Sequence, residues 1–116
     1  MATAPLTLSR VKPFADAWSA TWTLDTGDQG APIEMVMASE KSVQVTGTFS
    51  GSTAVIQGSN DGSTWVTLTD PQGTALSFTS GGLEAIQEHT RYVRPSVSAG
   101  TGTGLVVTIF MRGQMV

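Results

Sequence analysis

Strict alternation of apolar and polar residues is the feature that most constrains how this chain folds. In the segment WSATWTL, every second side chain is apolar, namely Trp18, Ala20, Trp22 and Leu24. Successive side chains of a strand point to opposite faces, so this period of two predicts a half-buried β-strand. Because large aromatic side chains dominate buried surfaces, we expect Trp18 and Trp22 to lie in the core or in a subunit interface.

Similar short runs recur along the chain, separated by turn residues about every ten positions. They are IEMVM, SVQVTGTF, TAVIQG, TWVTL, ALSF, RYVRPSVS and GLVVTIFMR. Thr occurs 17 times and Ser 12 times while charged residues make up only 13%, a composition typical of strands. With 116 residues the chain forms one domain, and the pattern predicts an all-β sandwich or barrel. Residues 83–90 fit either a short helix or a strand edge.

The first seventeen residues carry Pro5 and Pro13 and show no sustained periodicity. Proline restricts its own backbone and favours extended geometry in the residue before it. We therefore predict an extended N-terminal arm over residues 1–17 and a sandwich domain over residues 18–116. The prolines also reduce the entropy that is lost when such an arm is ordered against another subunit. A single Phe near two basic residues offers an anchor with polar flanks, so Arg10, Lys12 and Phe14 are the predicted contacts with that subunit.

Composition argues against several functional classes. The net charge of −3 and six dispersed basic residues do not form the cationic patch that binding to nucleic acid requires. The apolar stretch from Leu105 to Met111 is too short to span a bilayer, and the first residues lack a signal-peptide core. Cysteine is absent, so disulfides and thiolate chemistry are excluded. We expect neither nucleic acid nor a membrane as partner.

Three glycine-containing segments are predicted to be turns. Asn60-Asp61-Gly62 is a hairpin signal, and it carries too few oxygen donors for a calcium loop. The sequence DPQG at 70–73 matches a type I turn. GTGTG at 100–104 resembles a phosphate-binding loop but leads into a strand, which favours a hairpin turn. Gly47 replaces an apolar residue in a strand, which indicates a bulge or a close backbone approach.

No group of residues in the sequence matches a known catalytic motif or a cofactor-binding motif. His89 is the only histidine, and its neighbours Glu84 and Glu88 do not complete a zinc site or a catalytic triad. We predict that it is a solvated loop residue and that the protein is not an enzyme, with no catalytic residue, metal or cofactor. Arg91 and Arg94 are expected to form cross-strand pairs with acidic residues, although recognition of phosphate or carboxylate is the alternative.

Residues 43–112 resemble the small β-sandwich structural proteins encoded in the head gene clusters of tailed bacteriophages. The resemblance is carried by GSNDGSTW, by YVRPSV and by GTGTGL, at similar intervals. It implies a capsid decoration, or cement, protein that binds the outside of the capsid and bridges neighbouring capsomers. It further implies a jelly-roll-like antiparallel sandwich, the major capsid protein as partner, and assembly into a homodimer or homotrimer. The implied location is the virion surface, reached from the host cytoplasm during assembly.

Two other functions stay open at this level. A phage tail or baseplate component would share the sandwich and the arm. A carbohydrate-binding module would use Trp18, Trp22 and Trp65 as a flat platform for a sugar. An enzyme would need a mechanism for which no residues can be assigned.

Overall fold

The computed structural model describes residues 3–11, 17–34 and 38–113, and these ranges contain strands but no helix. The strands are β1 (Thr3–Ala4), β2 (Thr7–Arg10), β3 (Ala17–Leu24), β4 (Gln29–Gly30), β5 (Ile33–Glu34), β6 (Ala38–Thr48), β7 (Thr53–Ser59), β8 (Val66–Thr67), β9 (Ser77–Phe78), β10 (Gly82–Ala85), β11 (Tyr92–Ser98) and β12 (Thr103–Gly113). Within these ranges, no helix has the length and apolar character needed to cross a membrane.

The strands form two sheets. Sheet A has the order β1-β4-β11-β7-β8, with β5 also pairing with β11 and β9 with β7. Sheet B has the order β10-β6-β12-β3-β2. The pairs are antiparallel apart from β1 and β4, which run parallel. The all-β, single-domain sandwich predicted from the alternation is confirmed.

One hydrophobic core lies between the sheets. Sheet B contributes the buried alternate residues of its three central strands, and sheet A contributes residues such as Ile56, Val93 and Val97. Trp22 is 1% exposed, and its indole N–H donates to the backbone carbonyl of Ala31 at 2.8 Å. Trp18 is half-buried and packs against the same core. The predicted burial of the two tryptophans is confirmed, completely for Trp22 and partly for Trp18.

The described part of the N-terminal segment, residues 3–11, contains two short strands, and these pair with both sheets of its own chain. Strand β1 joins β4 in sheet A, and β2 joins β3 at the edge of sheet B. This pairing satisfies backbone groups of β3 that an open sheet edge would leave exposed. Of the predicted contact residues, Arg10 is exposed at the end of β2, whereas Lys12 and Phe14 lie outside the described residues.

The ambiguous segment 83–90 begins as a strand and continues as a loop. Residues Gly82–Ala85 form β10, which pairs antiparallel with β6 at the other edge of sheet B. The backbone N–H of Ile86 then donates to the carbonyl of Lys41 at 3.0 Å, and the Ile86 side chain enters the core. The strand-edge alternative is therefore the observed one, and pairing with β6 explains why a sequence of helical polarity is extended.

Two of the three predicted turns are observed as such. The segment containing Asn60-Asp61-Gly62 connects the antiparallel strands β7 and β8, and Gly62 has a φ of 78°. In DPQG, the Gly73 N–H donates to the Asp70 carbonyl at 2.9 Å, which closes a β-turn. Glycine is suited to both positions because it adopts positive φ without a steric penalty.

The prediction of a hairpin turn at GTGTG is wrong, because the strands on either side of this segment do not pair with each other. Strand β11, before this segment, belongs to sheet A, whereas β12, after it, belongs to sheet B. Residues 99–102 therefore cross from one sheet to the other at the end of the sandwich. The local sequence correctly indicates a change of direction, but the neighbours of β12 are β3 and β6, which come from far earlier in the chain.

The bulge predicted at Gly47 is confirmed. Thr48 pairs with Thr103 and Thr46 pairs with Val106, so two residues of β12 lie opposite Gly47. A Cβ atom on Gly47 would lie 2.6 Å from the carbonyl oxygen of Gly104, and the φ of Gly47 is 126°. Only glycine fits this close approach of the two backbones.

Candidate partner-binding surface

The outward face of sheet A carries a cation held between an aromatic ring and two amides. Arg94 lies on the central strand β11, between the inward-facing Val93 and Pro95. Its guanidinium carbon is 4.1 Å from the ring centroid of Trp65. Its Nε donates to Oε1 of Gln57 at 2.9 Å and its Nη1 to Oε1 of Gln29 at 3.3 Å. We call these four residues the arginine–tryptophan patch.

The elements around Arg94 determine its geometry. Gln57 is its direct cross-strand neighbour on β7, and Gln29 extends from β4 on the other side of β11. Trp65 follows the turn after β7 and immediately precedes β8. The side chain of Arg94 is half-buried, and this burial lowers the pKa of Arg94 from its ordinary value. Because arginine is not deprotonated in proteins, Arg94 is a positive charge.

A second arginine next to the patch is paired with a carboxylate. Nε of Arg91 lies 2.7 Å from Oε2 of Glu34, and its guanidinium carbon lies 5.1 Å from the Tyr92 ring centroid. The hydrogen bond to Glu34 raises the pKa of Arg91. The expected pairing of an arginine with an acidic residue is thus confirmed for Arg91. It is wrong for Arg94 within the described ranges, since Arg94 contacts amides and an indole instead.

The three tryptophans do not form one platform. Trp22 lies inside the sandwich, and Trp18 packs on the core from the same strand. Trp65 lies on the other sheet, with Arg94 over its ring. A flat sugar-binding surface made of all three residues is therefore incompatible with the fold.

The outward face of sheet B is polar but almost uncharged. In its central strands, the side chains that alternate with core residues are mainly Ser and Thr, together with one aromatic residue that is 39% exposed; they include Ser19, Thr21, Ser42, Gln44, Thr108 and Phe110. Leu83, which pairs with Gln44 at the sheet edge, is 64% exposed. On this outward face, the charges of the central strands lie at one end, at Glu40 and Arg112. This face is broad and has few charges to desolvate.

A buried lysine of strand β6 contacts the loop after β10. Lys41 is 5% exposed, and its Nζ lies 3.1 Å from Nδ1 of His89. Burial lowers the pKa of Lys41, and the charge of Glu88 opposes this shift. Burial raises the pKa of Glu88, but hydrogen bonds from the hydroxyl and backbone N–H of Thr69 outweigh burial and leave it lowered. His89 itself is exposed in a loop, as predicted.

An open cavity of about 410 Å³ lies beside the turn after β7. Two carboxylates line it, and both are engaged within the protein. Oδ1 of Asp61 accepts from the backbone N–H groups of Ser63 and Thr64, each at 2.8 Å, while Glu88 accepts from Thr69. Across residues 3–11, 17–34 and 38–113, no group of three or more His, Asp or Glu side chains could hold a metal ion.

The sequence predictions missed two features of this surface. Arg94 and Trp65 are far apart in sequence, and their contact depends on the register between β11 and β7, which local patterns do not specify. Lys41 falls at an inward position of its strand, where the alternation in SVQVTGTF continues backwards to a charged residue. A charged residue at a position that the alternation assigns to the buried face could have predicted the burial of Lys41.

Comparison with known proteins supports the fold. No protein-family model and no curated protein sequence matches the chain. The crystal structure of YomS, a protein derived from the SPBc2 prophage, superimposes with a TM-score of 0.68 and 14% identity, covering 89% of this chain and 98% of YomS. An RmlC-like cupin family protein of Methanocaldococcus jannaschii, with a double-stranded β-helix fold, gives a TM-score of 0.51 and 8% identity, covering 94% and 81%.

These likenesses concern architecture. At such low identity they show that the chain has a small jelly-roll-like sandwich fold, and they assign no residue a role. The jelly-roll character expected from the phage resemblance is consistent with the double-stranded β-helix of the cupin.

Proposed function

We propose that this protein is a non-enzymatic structural component of a phage virion that binds the outside of the capsid and stabilises contacts between capsomers. The observation that carries the proposal is the superposition with the prophage-derived YomS along almost the full length of both chains. Shared architecture alone does not define function, so the surfaces must supply the physical argument.

The surfaces suit protein partners better than small substrates. Both outward faces are formed by sheets supported by one core, so they present many side chains on a rigid base. The outward face of sheet B has few charges in its centre, and charged residues are depleted at the centres of protein interfaces. A decoration protein needs this kind of broad contact surface.

Self-association is the second part of the proposal. Arg10 is exposed on the edge strand β2, and we propose that Arg10, Lys12 and Phe14 contact a second copy in a homodimer or homotrimer. A triple Ala variant at these positions should keep the β-rich circular dichroism spectrum and shift to a smaller species in sedimentation velocity. An unchanged oligomer would remove these three residues from the interface.

A tail or baseplate role is the alternative, since the same sandwich would serve there. The tryptophan geometry does not favour the carbohydrate-binding module, because a shared platform is lacking.

Co-sedimentation tests the function directly. Capsids that lack this protein, prepared from the phage whose genome encodes it, should bind the purified chain saturably and melt at a higher temperature after binding. Purified tails from the same phage are the matched comparison. Binding to tails and not to capsids would establish the alternative, and binding to neither would reject both virion roles.

A further inference from the structure

Arg94 is the residue of sheet A whose environment most needs explaining. It is half-buried at the centre of an outward face, and its pKa shift comes from burial rather than from a carboxylate. Among the described residues it takes part in no ion pair, whereas Arg91, which immediately precedes the same strand, is paired with Glu34. A partly desolvated cation is costly unless an anion compensates it.

The contacts of Arg94 hold its guanidinium in place without neutralising it. Gln57 and Gln29 accept hydrogen bonds through uncharged amide oxygens, and Trp65 covers one face of the cation. A guanidinium has more N–H donors than these two bonds use, and its planar fork matches a carboxylate in two-point geometry. Because the side chain is already ordered, a partner that binds it loses less conformational entropy.

We propose that the arginine–tryptophan patch binds a carboxylate of an acidic segment on the partner protein. Charge complementarity identifies the occupant: the patch offers a cation that no described carboxylate pairs with, flanked by two amides and one indole ring. Arginine and tryptophan are also among the residue types that dominate binding energy at protein interfaces. The inference rests on the proposed function for the identity of that partner, the major capsid protein, but the carboxylate chemistry can be tested without capsids.

Capsid binding by matched variants is the first test. Arg94→Gln should weaken binding about tenfold to a hundredfold, the range for losing a hydrogen bond to a charged group. It should also reduce the dependence of binding on salt, because one charge pair is removed. Arg94→Lys should bind capsids more weakly than the unaltered protein and more tightly than Arg94→Gln. Lysine keeps the positive charge but lacks the planar guanidinium that can donate two hydrogen bonds to one carboxylate. Arg91→Gln is the control, since its charge is already paired with Glu34, and should change affinity less than about twofold.

Measuring the stability of each variant shows whether Arg94 acts in capsid binding or only in holding the fold together. Each variant is unfolded in urea, and its capsid affinity is measured at a temperature where it is fully folded. Equal affinity of Arg94→Gln and the unaltered protein would overturn the proposal and leave Arg94 as a clamp between β4, β11 and β7.

A peptide titration is the second test, and it does not depend on capsids. The probe is an end-blocked hexaglutamate peptide, followed by NMR at the Arg94 Nε–H and Trp65 indole signals. These signals should shift saturably with hexaglutamate and stay constant with hexaglutamine at equal ionic strength. In the Arg94→Gln variant, the Trp65 indole signal that is left should stay constant with hexaglutamate.

The outcomes of the two tests are distinguishable. If the protein fails to bind capsids but hexaglutamate shifts the patch signals, the proposed function fails and the carboxylate site stands. If hexaglutamate does not move the signals, the patch does not bind carboxylates. If sodium sulfate moves them as strongly at the same concentration, the patch binds anions without selecting an acidic protein segment. Either result would overturn the inference.

Discussion

Single side chains fix how closely the two sheets approach. Trp22 is buried in the core next to Gly30. A Cβ atom placed on Gly30 would lie 2.8 Å from Cδ1 of Trp22 and 2.5 Å from Cδ of Pro95. The glycine thus leaves room for a large ring and a proline to pack against the same backbone. The Ala31 carbonyl accepts the indole hydrogen bond, so burial leaves no polar atom of Trp22 unpaired.

Replacing Trp22 by Ala should therefore lower the free energy of unfolding by about 3–5 kcal/mol, the range for removing a large buried aromatic. Urea denaturation followed by far-ultraviolet circular dichroism measures it. Leu83→Ala, at an exposed position, is the control and should cost less than about 1 kcal/mol. A similar small loss at Trp22 would contradict the described core.

Asp61 gives the turn after β7 its pH dependence. Backbone hydrogen bonds from Thr64 and Ser63, and one from the Ser59 hydroxyl, lower the pKa of Asp61 from 3.8 to about 2. The folded-state pKa is depressed, so the unfolded chain binds the proton more readily. The resulting stabilisation is complete above the unfolded value and is lost as the pH falls from about 4 to about 2.

Asp61→Asn should flatten this part of the stability profile. The difference in unfolding free energy between the two proteins should be constant from pH 5 to 7 and shrink as the pH is lowered towards 2. Urea titrations across that series measure it. Parallel profiles would show that Asp61 does not form the stabilising bonds described here.

At the level of elements, one buried hydroxyl ties together three connections at the end of the sandwich. Ser52 is 0% exposed. Its Oγ accepts from the backbone N–H of Gly102 at 2.7 Å, donates to the Ala99 carbonyl at 2.8 Å and lies 2.6 Å from Oγ1 of Thr26. The connections after β3, β6 and β11 therefore share one hydrogen-bonding centre, and the crossing from sheet A to sheet B is anchored there.

Ser52→Ala should destabilise the protein by about 1–3 kcal/mol, because the buried N–H of Gly102 loses its acceptor. Ser98→Ala, at an exposed position of β11, is the matched control. Hydrogen exchange adds a local readout, since the Gly102 amide should exchange much faster in the variant. If the Gly102 amide stayed protected, another acceptor would have replaced Ser52.

The element scale also shows how far the sequence predicts the structure. Period-two alternation located the long strands correctly because one face of each must be buried. It failed at GTGTG and left residues 83–90 open, because the sheet that a strand joins depends on partners distant in sequence. The arginine–tryptophan patch was missed for the same reason: Arg94 meets Gln57 and Trp65 only through the register of β11 with β7.

For the whole molecule, stability comes from the packed interior and from polar groups that satisfy one another. The loop carboxylates Asp61 and Glu88 accept hydrogen bonds from neighbouring N–H and hydroxyl groups. Oδ1 of Asp61 and both carboxylate oxygens of Glu88 are thus occupied by donors within the protein, which leaves little to attract a divalent cation.

Thermal unfolding should consequently be insensitive to divalent metals. Melting curves recorded with EDTA, with added calcium chloride and in plain buffer at equal ionic strength should superimpose. A shift of several degrees with calcium would reveal a cation site, and the Asp61→Asn variant would show whether that site involves the turn.

The central place of β12 in sheet B has a consequence for synthesis on the ribosome. This strand separates β3 from β6, although both are translated long before it. Until residues 103–113 have left the exit tunnel, the nascent chain carries two strands with unpaired edges that cannot yet join. Such edges can pair with other chains, so the interval before β12 arrives is when the protein is most exposed to aggregation and most in need of chaperones.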